Sequence, residues 1–249
     1  MRSNIYHPLI EIKNLFFSYT SLDNSIFKNV NLKILPGELV GIIGESGSGK
    51  TTLLKILAGL VKPLQGSIKI KCSTKGSFVF QSPVLLNWLN VEQNIVFPKH
   101  KRNNEDDYLK RLLVDIGLES AKKKYPRELS GGMRSRVQLA RSLYHEPQIL
   151  FLDEAFSALD EKLRYQSNML LKNLHSKYAF SAFIVSHSVQ EAVFLSDRII
   201  IIKKDKDSYK SQIIQIKDGL RFSDKNMDIL NSKEFYNQVF RVRNKLIRD

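Results

Sequence analysis

Gly44-Glu45-Ser46-Gly47-Ser48-Gly49-Lys50-Thr51 decides the reading of this chain. The apolar run Leu39-Val40-Gly41-Ile42-Ile43 precedes it, and Thr52-Leu53-Leu54-Lys55-Ile56-Leu57 follows. That is a strand, a glycine-rich loop and a helix, the context in which such a loop cradles phosphate. Glycines let successive backbone N–H groups turn inward around an anion that side chains would keep away. The helix opening near Lys50 adds the positive end of its dipole. Lys50 has the reach for β- and γ-phosphates, and the Thr51 hydroxyl is suited to Mg²⁺.

A second chemical stretch lies a hundred residues on. Ile149-Leu150-Phe151-Leu152-Asp153-Glu154 is four apolar residues ending in two carboxylates, the pattern of a parallel strand buried on both faces. Ligands of open α/β sheets bind at the carboxyl ends of strands, so Asp153 belongs at a strand tip where it can hold Mg²⁺ through water. Glu154 is then placed to polarise a water attacking the γ-phosphate. Between the two stretches, Leu129-Ser130-Gly131-Gly132-Met133-Arg134 precedes Val137, Ala140 and Leu143 at helical spacing. Ser130-Gly131-Gly132 thus opens a helix and offers a second anion site of N–H groups and a hydroxyl. Two phosphate sites in one domain make sense if the second completes the nucleotide site of another copy.

With these in order, the chain resembles the ATP-binding subunit of an ABC transporter. Gly44–Thr51 resembles that family's Walker A, Ile149–Glu154 its Walker B and Leu129–Met133 its signature motif. The resemblance implies further roles. Gln81, after Phe78-Val79-Phe80, matches the glutamine that senses Mg²⁺ and the attacking water. Ser157-Ala158-Leu159-Asp160 matches the D-loop at the dimer interface, although Asp160 could equally cap the helix starting near Glu161. His187, after Phe183-Ile184-Val185-Ser186, matches the switch histidine at the γ-phosphate. Tyr19 matches the aromatic on which adenine stacks, but it also ends an alternating stretch (Ile10, Ile12, Leu15, Phe17) and could be core. The match runs from about Ile10 to Ile202. Ser188 stands where the family usually has aspartate and Ser135 where glutamine is common; neither change touches a phosphate ligand.

The implied fold is α/β: a P-loop NTPase core with an antiparallel β edge and an inserted helical subdomain. The expectation is one ABC ATPase domain over residues 1–249, with the helical insertion at about 83–126, where Leu109, Leu112, Leu113 and Ile116 carry a helical pattern. The implied chemistry is hydrolysis of ATP with Mg²⁺. Two copies are expected to close head to tail around two ATP molecules, each lying between one copy's P-loop and the other's Ser130-Gly131-Gly132.

Composition agrees. The 249 residues suffice for a sizeable core. The single Cys72 excludes an intrachain disulfide and suits a reducing compartment. Met1-Arg2-Ser3-Asn4 lacks an apolar signal-like segment, and no run approaches a membrane span. The formal net charge of +14 raises nucleic-acid binding as a possibility. However, the denser patches (His100-Lys101-Arg102, Lys122-Lys123-Lys124, Arg241-Val242-Arg243-Asn244-Lys245) carry no aromatic interleaving. A solvated surface is the expectation, with weak attraction to an anionic leaflet left open by the sequence, and no specific nucleic acid is expected.

Three classes of ABC ATPase compete: a membrane importer's subunit, an export or lipoprotein-extraction ATPase, and a soluble protein acting on DNA or ribosomes. The last usually carries two cassettes, long coiled coils or zinc, for which this sequence shows no basis. Gln81-Ser82-Pro83-Val84-Leu85-Leu86-Asn87-Trp88 resembles the nitrate/sulfonate/taurine importer subfamily. That resemblance implies a homodimer or paired ATPase subunits, transmembrane permease subunits, an extracytoplasmic solute-binding protein, and a peripheral position on the cytoplasmic face of the membrane. Residues 82–98 are too apolar for a free surface loop; Trp88 either packs inside or anchors a membrane partner's helix in a groove.

Overall fold

The computed structural model describes residues 7–19, 25–71, 76–98, 105–204, 211–216 and 227–247. Cys72, the N-terminal Met1–Asn4 and the His100-Lys101-Arg102 patch lie outside the described residues. In chain order the elements are β1 (Ile10–Phe17), β2 (Phe27–Ile34), β3 (Leu39–Gly44), α1 (Lys50–Leu57), β4 (Gln65–Ile70), β5 (Ser77–Val79), α2 (Val91–Val96), α3 (Glu105–Asp115), α4 (Gly131–Tyr144), β6 (Ile149–Asp153), α5 (Glu161–Tyr178), β7 (Ser181–Val185), α6 (Val189–Leu195), β8 (Arg198–Lys204), β9 (Ser211–Ile216) and α7 (Lys233–Ile247). They form two compact units, one of residues 1–73 and 180–249, the other of residues 74–179.

In the first unit the strands run in the order β4-β1-β2-β9-β8-β3-β7. β1 pairs antiparallel with β2, opposing Ile10 to Ile34 and Ile12 to Leu32, and antiparallel with β4 on its other side. This is the antiparallel edge that the alternation of β1 predicts, because one face of such strands meets the core and the other meets water. β3 lies between β8 and β7 and is parallel to both. Its residues Leu39–Ile43 are all buried, as are all five of β7. These are the unbroken apolar runs that a doubly covered parallel sheet requires. α6 lies against β3 at Gly41: a Cβ there would stand 2.6 Å from Ser196 Oγ, so the bare glycine sets the close approach.

In the second unit β5 and β6 pair in parallel, Val79 opposite Leu152, and four α-helices accompany them. The spacing expected to be helical is α3, which buries Leu112 and Leu113, with Ile116 buried just beyond its end. α4 buries Val137, Ala140 and Leu143 on the face the sequence predicts. Asp115, at the end of α3, accepts from Lys177 Nζ at 2.6 and 2.7 Å and from the Tyr178 hydroxyl, fastening α5 to α3. Burial and that carboxylate both push the Tyr178 hydroxyl's pKa well above its ordinary value. Among the described residues no helix is long and apolar enough to cross a membrane.

The apolar stretch after Gln81 divides sharply. Val91 and Ile95 of α2 are buried, whereas Val84 is 52% and Trp88 73% exposed. The cause is Asn94, which is fully buried. Its Oδ1 accepts from Leu86 N at 2.8 Å, and its Nδ2 donates to the carbonyls of Leu86, Leu89 and Asn90 at 2.8 to 3.1 Å. One amide thereby satisfies the backbone of the loop and turns Trp88 outward. The packed alternative for Trp88 is thus corrected: no room inside is used, because the loop is hung from Asn94 rather than folded onto the core. Asn94→Ala would leave several part-buried or buried backbone groups unpaired, at about 2 kcal/mol in all. A fall in Tm of roughly 4–8 °C, with new protease cleavage near residues 85–90, is the outcome expected from thermal unfolding and limited proteolysis.

Candidate functional site

In the first unit the glycine loop and His187 follow the paired strands β3 and β7, and Tyr19, beyond β1, is joined to the helix after the loop by a hydrogen bond. β3 runs into the Gly44–Thr51 loop. Gly47 and Gly49 take φ of 71° and 98°, values that favour glycine. A Cβ on Gly44 would lie 2.2 Å from the carbonyl oxygen of Ile202, and one on Gly49 2.9 Å from the Phe27 ring. The loop is closed by Ser48 N donating to Glu45 O (3.2 Å) and Leu53 N to Gly49 O (2.8 Å). Lys50 is 5% exposed, and its Nζ donates to the carbonyls of Gly44 and Glu45, both at 2.9 Å. The ammonium therefore lies over the loop that the phosphates would occupy. The first turn of α1 holds no acidic residue, so the N–H groups of Lys50, Thr51 and Thr52 keep their full attraction for an anion.

Tyr19 is 61% exposed, which corrects its reading as core. Its ring stands edge-on to Phe17 at 4.8 Å, and its hydroxyl shares a 3.1 Å hydrogen bond with Thr52 Oγ1. The polar tip is thus tied to the first turn of α1 while a ring face remains open to a planar base. On β7, Val185 pairs with Ile42 of β3, so His187 and Gly44 leave the sheet at the same end. Ser188 caps α6, accepting from Glu191 N at 3.2 Å, so serine fills the expected aspartate's place. Ser186 Oγ accepts from Ser188 N at 2.9 Å and donates to the Glu191 carboxylate, which fixes the backbone on both sides of the exposed His187.

The second unit carries the remaining groups. Asp153 ends β6 and Glu154 follows at φ 51°, a left-handed conformation that costs a branched or long side chain about 1–2 kcal/mol. Such strain accumulates where a side chain's direction matters more than its comfort. Gln81 stands two residues beyond Val79 just as Glu154 stands two beyond Leu152, and these strand residues are paired. The link between them is Ser157. Gln81 Nε2 donates to Ser157 Oγ at 3.3 Å, and both the Oγ and the N of Ser157 donate to the Glu154 carbonyl at 2.9 and 3.0 Å. Sequence reasoning placed Ser157 in a motif without giving it a task; a hydroxyl three residues after Glu154, able to close an ST-type turn, is the signal that could have done so.

Ser130 caps α4, accepting from Met133 N at 3.3 Å, and Gly131 and Gly132 are its first two residues. Asp160 likewise caps α5 through Leu163 N at 2.9 Å. Among the described residues, nothing packs closely enough to require the glycines of α4. A Cβ would meet Leu159 Cδ2 at 3.7 Å at Gly131 and Leu163 Cδ2 at 3.5 Å at Gly132, ordinary van der Waals contact, and neither has a positive φ. Glycine in the middle of a helix costs roughly 0.5–1 kcal/mol relative to alanine, and at these first two positions less.

A glycine loop that presents its N–H groups at a strand end, with carboxylates and a glutamine at the tips of paired parallel strands, defines the class of P-loop nucleotide hydrolases. The chain belongs to the ABC transporter family, whose model matches residues 27–157, and it binds and hydrolyses ATP. An aliphatic sulfonates import ATP-binding protein of Pseudomonas syringae pv. tomato is 40% identical over 179 residues, 72% of this chain and 76% of that protein. One of Burkholderia cenocepacia is 37% identical over 206 residues, 80% and 76% of the two chains. Among solved structures, a dimeric bacterial ABC transporter cassette is 30% identical, with TM-score 0.67 over 83% of this chain and 98% of that one. The cbiO1 protein of Clostridium perfringens matches in fold, with TM-score 0.74 over 96% of both chains at 23% identity.

Gly131→Ala separates the two demands on α4. Tm is expected to stay at the wild-type value or rise by up to about 2 °C, while ATP turnover falls at least about tenfold if the start of α4 receives an anion, because the methyl group would stand in its path. Thermal unfolding and steady-state ATPase assays check both.

Proposed function

We propose that the chain is the energy-supplying subunit of an importer for small sulfonates, the nitrate/sulfonate/taurine type named by the sequence. The observation that carries this is the run of aliphatic sulfonates import ATP-binding proteins at 37–40% identity over most of the chain. Permease subunits in the membrane, an extracytoplasmic solute-binding protein and a peripheral place on the membrane's cytoplasmic side follow from that reading. The export and lipoprotein-extraction alternative, and the soluble nucleic-acid alternative, draw no support from these relatives.

The residues divide the work as follows. The backbone N–H groups of Gly44–Thr52 receive the phosphates, Lys50 swings from the loop carbonyls to the β/γ-phosphates, and Tyr19 stacks on adenine. Glu154 takes the proton of the attacking water, which Gln81 and His187 orient. Thr51, Gln81 and Asp153 would hold Mg²⁺, their hydroxyl, amide and carboxylate oxygens being the hard donors it takes, and the ion would supply charge neutralisation at the phosphate oxygens. Ser130-Gly131-Gly132 of a second copy, with Asp160 at the interface, closes over the γ-phosphate. The glycines of α4 support this step, since among the described residues none makes the close approach they allow, which leaves room for a partner's nucleotide. The dimeric state of the bacterial cassette supports pairing as well. Residues 1–249 are read as one ATPase domain with the helical insertion at about 83–126, its Trp88 loop facing a permease helix.

Glu154→Gln keeps the carboxylate's shape and loses its basicity. ATP binding is expected to persist, turnover to stall, and an ATP-dependent dimer to appear in size-exclusion chromatography, whereas Lys50→Ala should lose binding and give no dimer. Uptake by vesicles holding the complete complex should be ATP-dependent for alkanesulfonates. Efflux, or uptake indifferent to the sulfonate group, would remove the importer reading while leaving the ATPase intact.

Trp88→Ala tests the partner surface. Because the side chain is 73% exposed, Tm and basal hydrolysis should stay at wild-type values while co-purification with permease subunits or transport is lost. Normal transport would place docking elsewhere.

A further inference from the structure

Gln81 does its proposed work from a loop, and loops position poorly unless something rigid holds them. Here the loop is held from α4. Gln138, 3% exposed in the middle of that helix, donates from Nε2 to the Phe80 carbonyl at 3.2 Å. One turn on, Arg141 donates from Nη2 to the Val84 carbonyl. The two acceptors bracket Gln81-Ser82-Pro83, and Pro83 has no N–H with which the segment could pair its own backbone. Arg141 is partly withdrawn from water and, among the described residues, no carboxylate pairs with it. Its burial lowers its pKa from the ordinary value. A guanidinium withdrawn from water to serve one backbone carbonyl is an expensive way to secure a loop, and a hydrogen bond from a charged donor is correspondingly strong.

α4 has a second end. It opens at Ser130-Gly131-Gly132, about three helical turns before Arg141. A straight helix moves as one body, so whatever seats its N-terminus also sets where Gln138 and Arg141 carry the backbone of Gln81. Gln81 in turn reaches Glu154 through Ser157.

We propose that Arg141, with Gln138, is a positioning residue for Gln81: it clamps the Gln81 loop to α4, so that the helix seated on one nucleotide aligns the water-orienting glutamine that serves the other. This rests on the role given to Gln81 above. Loss of the clamp slows the chemical step without weakening ATP binding, because the groups that receive the phosphates are elsewhere in the chain.

The test is a double-mutant cycle on the full-length protein, with kcat, KM for ATP and Tm measured for wild type, Arg141→Met, Arg141→Lys, Gln81→Ala and Gln81→Ala/Arg141→Met. Arg141→Met keeps the length and apolar contact of the side chain and removes the donor. The expected results are a kcat lower by about tenfold and a KM within about twofold of wild type. Arg141→Lys, which still offers an N–H to Val84 O, should recover most of the rate. If Arg141 acts through Gln81, the double variant turns over no more slowly than Gln81→Ala alone. Losses that multiply in the double variant overturn the proposal, as does wild-type kcat in Arg141→Met, or a rise in KM that accounts for the whole defect. Should Arg141→Met fail to fold, the cycle is run with Arg141→Lys, whose smaller loss must likewise vanish in the Gln81→Ala background. If Gln81→Ala itself keeps wild-type kcat, the role of Gln81 fails first, a result distinct from additivity.

Discussion

A multiply charged phosphate chain needs many backbone dipoles around it besides the ammonium of Lys50, and the structure depends on supplying them at one place. Backbone N–H groups can supply those dipoles only where the chain is not already using them, which is at the start of a helix and in a glycine-rich turn before it. β3 exists to deliver such a turn at a fixed place. Buried on both faces and paired with β7 and β8, it cannot shift register without exposing or jamming an all-apolar strand. The same pairing fixes where His187 leaves the sheet, and the Tyr19–Thr52 hydrogen bond ties the aromatic that would stack on the base to the turn that would hold the phosphates.

The glycines show how one residue type answers two different constraints. Those of the phosphate loop are imposed from within: φ of 71° and 98° at Gly47 and Gly49, and a carbonyl oxygen 2.2 Å from an added Cβ at Gly44. Those of α4 have ordinary helical geometry and room for a methyl group. Among the described residues nothing requires them. The contrast separates glycines that the loop's own geometry demands from glycines that it does not, and the proposed closure of a second copy over the nucleotide rests on the latter.

The sequence made the periodic and local features legible. β3 and β6 read as apolar runs, α4 as a 3.6-residue pattern opened by a cap, and Glu154 as a carboxylate at a strand tip, because each is written within a dozen neighbouring residues. What was not legible is held by side-chain-to-backbone bonds over long separations. Gln138 reaches Phe80 across 58 residues and Arg141 reaches Val84 across 57; Gln81 reaches Ser157 across 76. Such bonds leave no period in the sequence, and glutamine, arginine and serine are unremarkable on a helix or in a turn. Trp88 could not be placed for a related reason. Its exposure is decided by Asn94, whose single amide takes the contacts that would otherwise let the loop collapse onto the core.

The polar side chains that the sequence left silent share one use: each replaces a hydrogen bond that secondary structure would have made. Asn94 stands in for the backbone partners of residues 86–90, Ser157 for those of Glu154, Gln138 and Arg141 for those of residues 80–84. A helix or strand at these positions would be firmer, but it could not present Trp88, Gln81 and Glu154 in the directions observed; Glu154 even adopts a left-handed backbone to do so. Irregular backbone satisfied by buried amides and a guanidinium keeps definite geometry while remaining free of a ladder that would have to break cooperatively. That is the physical condition the proposed clamp needs: a segment with definite geometry that can still follow the helix behind it.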